Sequence, residues 1–219
     1  MNLFDIIGPV MVGPSSSHTA GAAKIGNVCN KLMAEKIESA EIYLHGSFAE
    51  TGKGHGTDKA IVGGLIGMAC DDERLPESFD VAQEMGFKFT IQAADLGDVH
   101  PNTAKVIMHG VSGHSLEVVA SSIGGGRIQV VMLDGVKANF SGESPTLIVH
   151  NVDKPGYITE VTRLLGIEHI NIATMQLYRK KRGGEAVMVI ECDECVPDST
   201  IKELEKLEGI MKVSYYCPE

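Results

Sequence analysis

The 219-residue sequence predicts an α+β protein of two domains. These are an N-terminal α/β domain with a mixed sheet, residues 1–140, and a C-terminal ferredoxin-like βαββαβ domain, residues 146–219. Three observations lead there. The last 70 or so residues alternate strand and helix patterns in the order βαββαβ. The first 140 mix helix-periodic apolar runs with strands punctuated by glycine. Between them "SGESP", residues 141–145, has the composition of a linker.

The C-terminal pattern is the clearer one. "TLIVHNVD" (Thr146–Asp153) is an apolar strand that "KPG" interrupts. Ile158, Val161, Leu164 and Leu165 then recur at helical spacing. "NIATMQLYRK" alternates, Gly183-Gly184 supplies a turn, and "EAVMVIEC" returns as the second arm of a hairpin. Asp198 and Ser199 start a helix marked by Ile201, Leu204 and Leu207 and stopped by Gly209, and "IMKVSYYC" is the last strand.

In the N-terminal part, Ile25, Val28 and Leu32 mark a helix after Ser17, and "SAEIYLHGS" (Ser39–Ser47) reads as a strand. The glycine-rich loop "GKGHGTD" (Gly52–Asp58) leads into a second helix at "KAIVGGLIGMA", and "FKFTIQAAD" is another strand. "AKVIMHGVSG", "SLEVVASSIGGG" and "RIQVVMLDG" form an antiparallel set joined by glycine turns. "SSIGGGRI" lacks the spacing of a nucleotide loop and reads as a tight turn.

The net charge is −10, and the basic cluster "YRKKR" (Tyr178–Arg182) falls where a hairpin turns. That balance repels nucleic acid and anionic membrane, so neither is an expected partner. No run approaches the about 20 apolar residues of a membrane span, and "MNLFDIIGPV" lacks the features of a signal peptide, so the expected location is the cytoplasm. Five cysteines, an odd count, point to reduced thiols rather than a disulfide framework. Cys192 and Cys195 have C-x-x-C spacing but no second ligand pair nearby, so no metal site is expected on this chain.

"GPSSSHTAG" (Gly13–Gly21) and "GKGHGTD" share one character. Both precede helices, whose free N–H groups favour an anion. Both carry a histidine able to move a proton near neutral pH. Both are rich in small residues that let a ligand approach the backbone. Capping needs one serine, and Ser15, Ser16 and Ser17 provide three, so the block fits a small carboxylate ligand with His18 and His55 beside it.

Two resemblances add to this. "DKPG" (Asp153–Gly156) and "INIATMQL" (Ile170–Leu177) are similar to the ACT domain, an amino-acid-sensing and dimerising module, over residues 146–217. "GPSSSHTAG", "LHGSFAETGKGHGTDKA", "HPNT" and "SIGGG", in that order, resemble the beta chain of the bacterial iron–sulfur L-serine dehydratase. That family eliminates water from L-serine to give pyruvate and ammonia, a step of serine catabolism feeding gluconeogenesis. The resemblance implies a [4Fe–4S] cluster carried by a separate alpha chain, since this chain's cysteines are scattered. It also implies a shared active site and dimerisation through the ACT or N-terminal domain. His18 and His55 are then the candidates for proton transfer, and spacing does not choose between them. Ser15, Ser16, Ser17, Thr19, Thr57 and Asp58 are the expected substrate-binding residues, with Asp58 also placed to orient a histidine. The first domain is further similar to the allosteric substrate-binding domain of certain phosphoglycerate dehydrogenases. That likeness keeps open an alternative: an amino-acid-binding regulatory subunit with no chemistry of its own.

Overall fold

The computed structural model describes residues 9–179 and 181–218. They divide into two compact units, Met1–Asp134 and Gly135–Glu219.

The first unit opens with a single π-helical turn, Ser16–Ala20, that runs straight into α1, Gly21–Met33. Strand β1 is Ile37–Leu44, α2 is Ser47–His55, α3 is Thr57–Leu65 and α4 is Ser78–Glu84. Strands β2 (Lys88–Ala93), β3 (Thr103–Gly110), β4 (Ser115–Gly124) and β5 (Arg127–Leu133) follow. Within this unit the strand order is β2-β1-β3-β4-β5. Strands β1 and β2 pair parallel while β1–β3, β3–β4 and β4–β5 are antiparallel, so the sheet is mixed, as expected. The glycine-rich turn after β4 is also as expected, with Gly124, Gly125 and Gly126 all at positive φ.

Two helices hold the frame. Ile25, Val28 and Leu32 are buried on α1. Its crossing with α3 is so close that a Cβ on Gly26 would lie 2.3 Å from the Ile61 carbonyl, and one on Gly64 2.2 Å from the Ala23 carbonyl. Glycine is required at both positions to let the backbones meet.

Three local expectations are corrected. The strand read over 39–47 runs over Ile37–Leu44 and gives way at Gly46, whose φ of 51° starts a helix. The segment read as a glycine-rich loop is instead the second half of α2, which burial of Phe48 fastens to the core. Its break is confined to Gly56, left-handed at φ 69°, between α2 and α3. Glycine costs helix propensity, but here tertiary packing overrides it. Finally, the triple-serine block does not open an α-helix directly: Ser15 caps a π turn that contains Ser16 and Ser17 and precedes α1.

The second unit begins with β6, Val136–Phe140. Residues 136–141 belong with this unit through their contacts: Gln176 Nε2 donates to the Asn139 carbonyl at 3.0 Å and the Ser141 amide donates to Glu191 at 3.3 Å. Then come β7 (Thr146–Val152), α5 (Tyr157–Ile167), β8 (Ile172–Arg179), β9 (Glu185–Cys192), α6 (Asp198–Glu205) and β10 (Ile210–Tyr216). The sheet order β10-β7-β9-β8, antiparallel throughout, is the ferredoxin-like arrangement expected. Leu147, Val149, Val161, Leu165, Met188 and Leu204 are fully buried at its centre. Ile158, expected on the buried stripe of α5, is 44 % exposed. In the basic cluster, Lys181 and Arg182 are exposed at the hairpin turn, and Lys180 lies outside the described residues.

The cysteine reading also needs correction. Cys195 and Cys217 form a disulfide, their Cα atoms 6.1 Å apart, while Cys29, Cys70 and Cys192 are free. The loop after β9 folds over the end of β10, where the Val196 amide donates to the Tyr215 hydroxyl at 2.7 Å, and this brings the two thiols together. No helix among the described residues is long and apolar enough to cross a membrane.

Candidate active site at the junction of α2 and α3

The π turn positions His18. Ser15 caps it: its hydroxyl accepts from the His18 amide at 3.2 Å and its carbonyl from the Thr19 amide at 2.8 Å. The turn closes with the Gly21 amide donating to the Ser16 carbonyl. Single π turns inside helices are often found at functional sites, because they displace one side chain from the regular spiral.

Here the displaced region carries His18 under the α2–α3 junction, where it is 8 % exposed. Three hydroxyls surround its ring. Ser47 Oγ lies 3.3 Å from Nε2; Thr51 Oγ1 and Thr57 Oγ1 lie 3.3 and 3.2 Å from Nδ1. Phe48 meets the ring edge-on at 5.3 Å between centroids. Burial, and next the neighbouring His55, hold the His18 imidazole below its ordinary pKa. The shift favours the neutral ring, in which one nitrogen is a donor and the other an acceptor.

His55 ends α2, its ring centroid 5.0 Å from that of His18. Its backbone carbonyl accepts from the Thr19 hydroxyl at 3.2 Å, while its Nδ1 is buried without a hydrogen-bond partner. Beside it opens a cavity of about 260 Å³. Thr19, His55, Gly56 and Lys59 line it together with the Gly13–Pro14 loop and Pro76. The loop is tied down by the Val12 amide donating to the Cys70 carbonyl at 2.8 Å. It approaches so closely that a Cβ on Gly13 would lie 2.5 Å from the Thr19 hydroxyl.

Of the expected site residues, His55 and Thr19 thus line the cavity. Thr57 is fully buried and holds His18 from behind. The Ser16 and Ser17 side chains are half-buried and make no hydrogen bond to any described residue. Asp58 does not reach a histidine; its carboxylate accepts from the Lys59 amide at 2.8 Å. Other histidines serve loops: His45 Nδ1 accepts from the Leu96 amide and His100 Nδ1 from the Asn102 amide, each at 3.1 Å.

Ser47, Thr51 and Lys59 were not singled out from the sequence. A signal existed for the first two, since Ser47, Thr51 and His55 fall at i, i+4 and i+8, one face of a helix. Ser122 was missed as well. Its hydroxyl is fully buried and unpartnered, and it packs so tightly on Gly21 that a Cβ there would lie 2.0 Å away.

The thiols of this chain do not fit an iron–sulfur cluster. Among the described residues no three His, Cys, Asp or Glu side chains converge to hold a metal ion. Cys29 and Cys192 are buried, and burial pushes both thiols up, that of Cys192 to about 11. Thiolates are what a cluster binds, and neither is poised to be one.

The model of the serine dehydratase beta chain matches residues 2–92, and that of the ACT domain residues 145–209. A probable L-serine dehydratase beta chain of Bacillus subtilis is 44 % identical over 97 % of this chain and 96 % of its own length. The L-serine dehydratase beta chain of Peptoniphilus asaccharolyticus is 37 % identical over the same shares. A D-3-phosphoglycerate dehydrogenase of Bacillus subtilis is 29 % identical over 88 % of this chain but only 36 % of its own length. The chain belongs to the family of L-serine dehydratase beta chains and carries an ACT domain in its second unit.

Proposed function

We propose that this chain is the beta subunit of an L-serine ammonia-lyase and forms one wall of an active site shared with an alpha chain. In the overall reaction L-serine loses its α-proton and its hydroxyl as water; the resulting aminoacrylate tautomerises and hydrolyses to pyruvate and ammonia. A [4Fe–4S] cluster, whose iron supplies Lewis-acid chemistry, belongs to the alpha chain in this reading.

The observation that carries the reading is the pair of histidines in unlike surroundings. His55 lines the cavity and keeps a buried ring nitrogen without a hydrogen-bond partner, which suits a group that exchanges a proton with the substrate. His18, enclosed by three hydroxyls and held neutral, positions the His55 ring and the α2–α3 junction. Thr19 lines the cavity beside His55, while Ser15, Thr57 and Asp58 maintain the turn, the buried imidazole and the start of α3.

The alternative, an amino-acid-binding regulatory subunit, draws support from the match to part of a phosphoglycerate dehydrogenase. Anaerobic conversion of serine to pyruvate by the reconstituted two-chain enzyme separates the two. With complex formation verified, His55→Ala lowers turnover about 10²- to 10⁴-fold if it transfers the proton, and His18→Ala also lowers it. Near-normal turnover in both variants would leave only the regulatory reading.

A further inference from the structure

Resting on that reading, we propose that Lys59 anchors the carboxylate of the substrate and so makes the site specific for a free α-amino acid. The chain carries a net charge of −10, yet among the described residues no Asp or Glu lines the cavity, and Lys59 is the charged one that does. An acidic protein that keeps carboxylates out of one cavity and admits an ammonium gives it the potential for an anionic group.

The ammonium is held in place. Lys59 Nζ donates to the carbonyl of Pro76, another residue of the cavity lining, at 2.6 Å. The Lys59 carbonyl accepts from the Ser78 hydroxyl at 2.7 Å, which fixes the backbone beneath. An ammonium has three donors, and Pro76 takes one, so two remain for a carboxylate. Lys59 also lies in the first turn of α3, the positive end of a nine-residue helix, and lines the same cavity as His55. At about 260 Å³ the cavity falls short of the roughly 300–1,000 Å³ that houses drug-sized ligands, and suits a single small amino acid. A carboxylate at Lys59 places the rest of the substrate between Thr19 and His55.

The test uses the reconstituted two-chain enzyme with L-serine and with L-serinamide, in which the carboxylate is neutral. Lys59→Gln should raise KM for L-serine about 10- to 100-fold, the scale of one lost charge-assisted hydrogen bond, with kcat within about threefold. It should also narrow the preference for L-serine over L-serinamide by a similar factor. Lys59→Arg, which keeps the charge, should restore most of both, and this separates anchoring from a fold defect in the Gln variant. An unchanged KM and unchanged preference in Lys59→Gln, alongside collapse of turnover in His55→Ala, would overturn the role of Lys59 while sparing the shared site. Normal kinetics in both variants would overturn both.

Discussion

Two loop-to-helix junctions look alike in sequence and differ in what their polar groups do. In the second unit, "DKPG" leads from β7 into α5, with Gly156 at φ 103°. Its Asp153 carboxylate accepts from the Gly183 amide at 2.8 Å and from Arg179 at 3.1 Å, and these contacts hold it below the usual carboxylate range. The group that was free to act is engaged in fastening the β8–β9 turn. In the first unit, "GHGTD" joins α2 to α3 at the left-handed Gly56, and His55 keeps a buried nitrogen without a partner beside a cavity. A glycine-rich helix mouth is thus no sign of a site by itself. Unsatisfied hydrogen-bonding capacity in a residue that borders a cavity is the better mark, since native proteins leave few such groups without a use.

The comparison is broken most directly at the histidines. His55→Ala carries the largest expected effect, about 10²- to 10⁴-fold in turnover, with the melting temperature of the chain nearly unchanged because the ring borders a cavity. His18→Ala reverses that balance toward stability. Removing a buried imidazole leaves Ser47, Thr51 and Thr57 without their partner, and the cost is about 2–4 kcal/mol in chemical denaturation. Next comes the frame: Gly64→Ala drives a methyl into the Ala23 carbonyl and should cost about 1–3 kcal/mol by the same measurement.

A pH series sharpens the same contrast. His18 titrates below its ordinary 6.5 in the folded chain, chiefly through burial. The unfolded chain therefore takes up the proton first as pH falls. The stability that His18 contributes is present above about pH 6.5 and is lost as pH drops through the folded value. Melting temperatures from pH 7.5 to 5 should fall more steeply for the wild type than for His18→Gln. At the other junction the effect is smallest: Asp153→Asn leaves turnover unchanged and moves the melting temperature less than His18→Ala does.

Much of this was legible in the chain. Apolar alternation and glycine turns marked the antiparallel strands β3 to β5, and the βαββαβ order of the second unit follows from local patterns alone. The meeting of Thr19, Thr57, His18 and His55 was readable because each pair sits in one short block. Helix α2 was not, because Gly52, Gly54 and Gly56 outweigh its helix-forming residues in any local count, and only packing makes it helical. The i, i+4, i+8 spacing of Ser47, Thr51 and His55 becomes a shared face only once α2 is recognised as a helix. Lys59 looked like an ordinary surface lysine of α3, since its distinction comes from the cavity wall it joins. The Cys195–Cys217 pair depends on the loop after β9 meeting the end of β10, a contact 22 residues apart that no cysteine count reveals.

The central claim is that His55 exchanges a proton with the substrate while His18 only supports it. Rescue by imidazole in the reconstituted enzyme tests it directly. Added imidazole should restore turnover to His55→Ala, whose missing ring opens onto the cavity, and should not restore His18→Ala, whose site is closed and hydroxyl-lined. Rescue of His18→Ala alone, or full activity of His55→Ala without imidazole, would contradict the account.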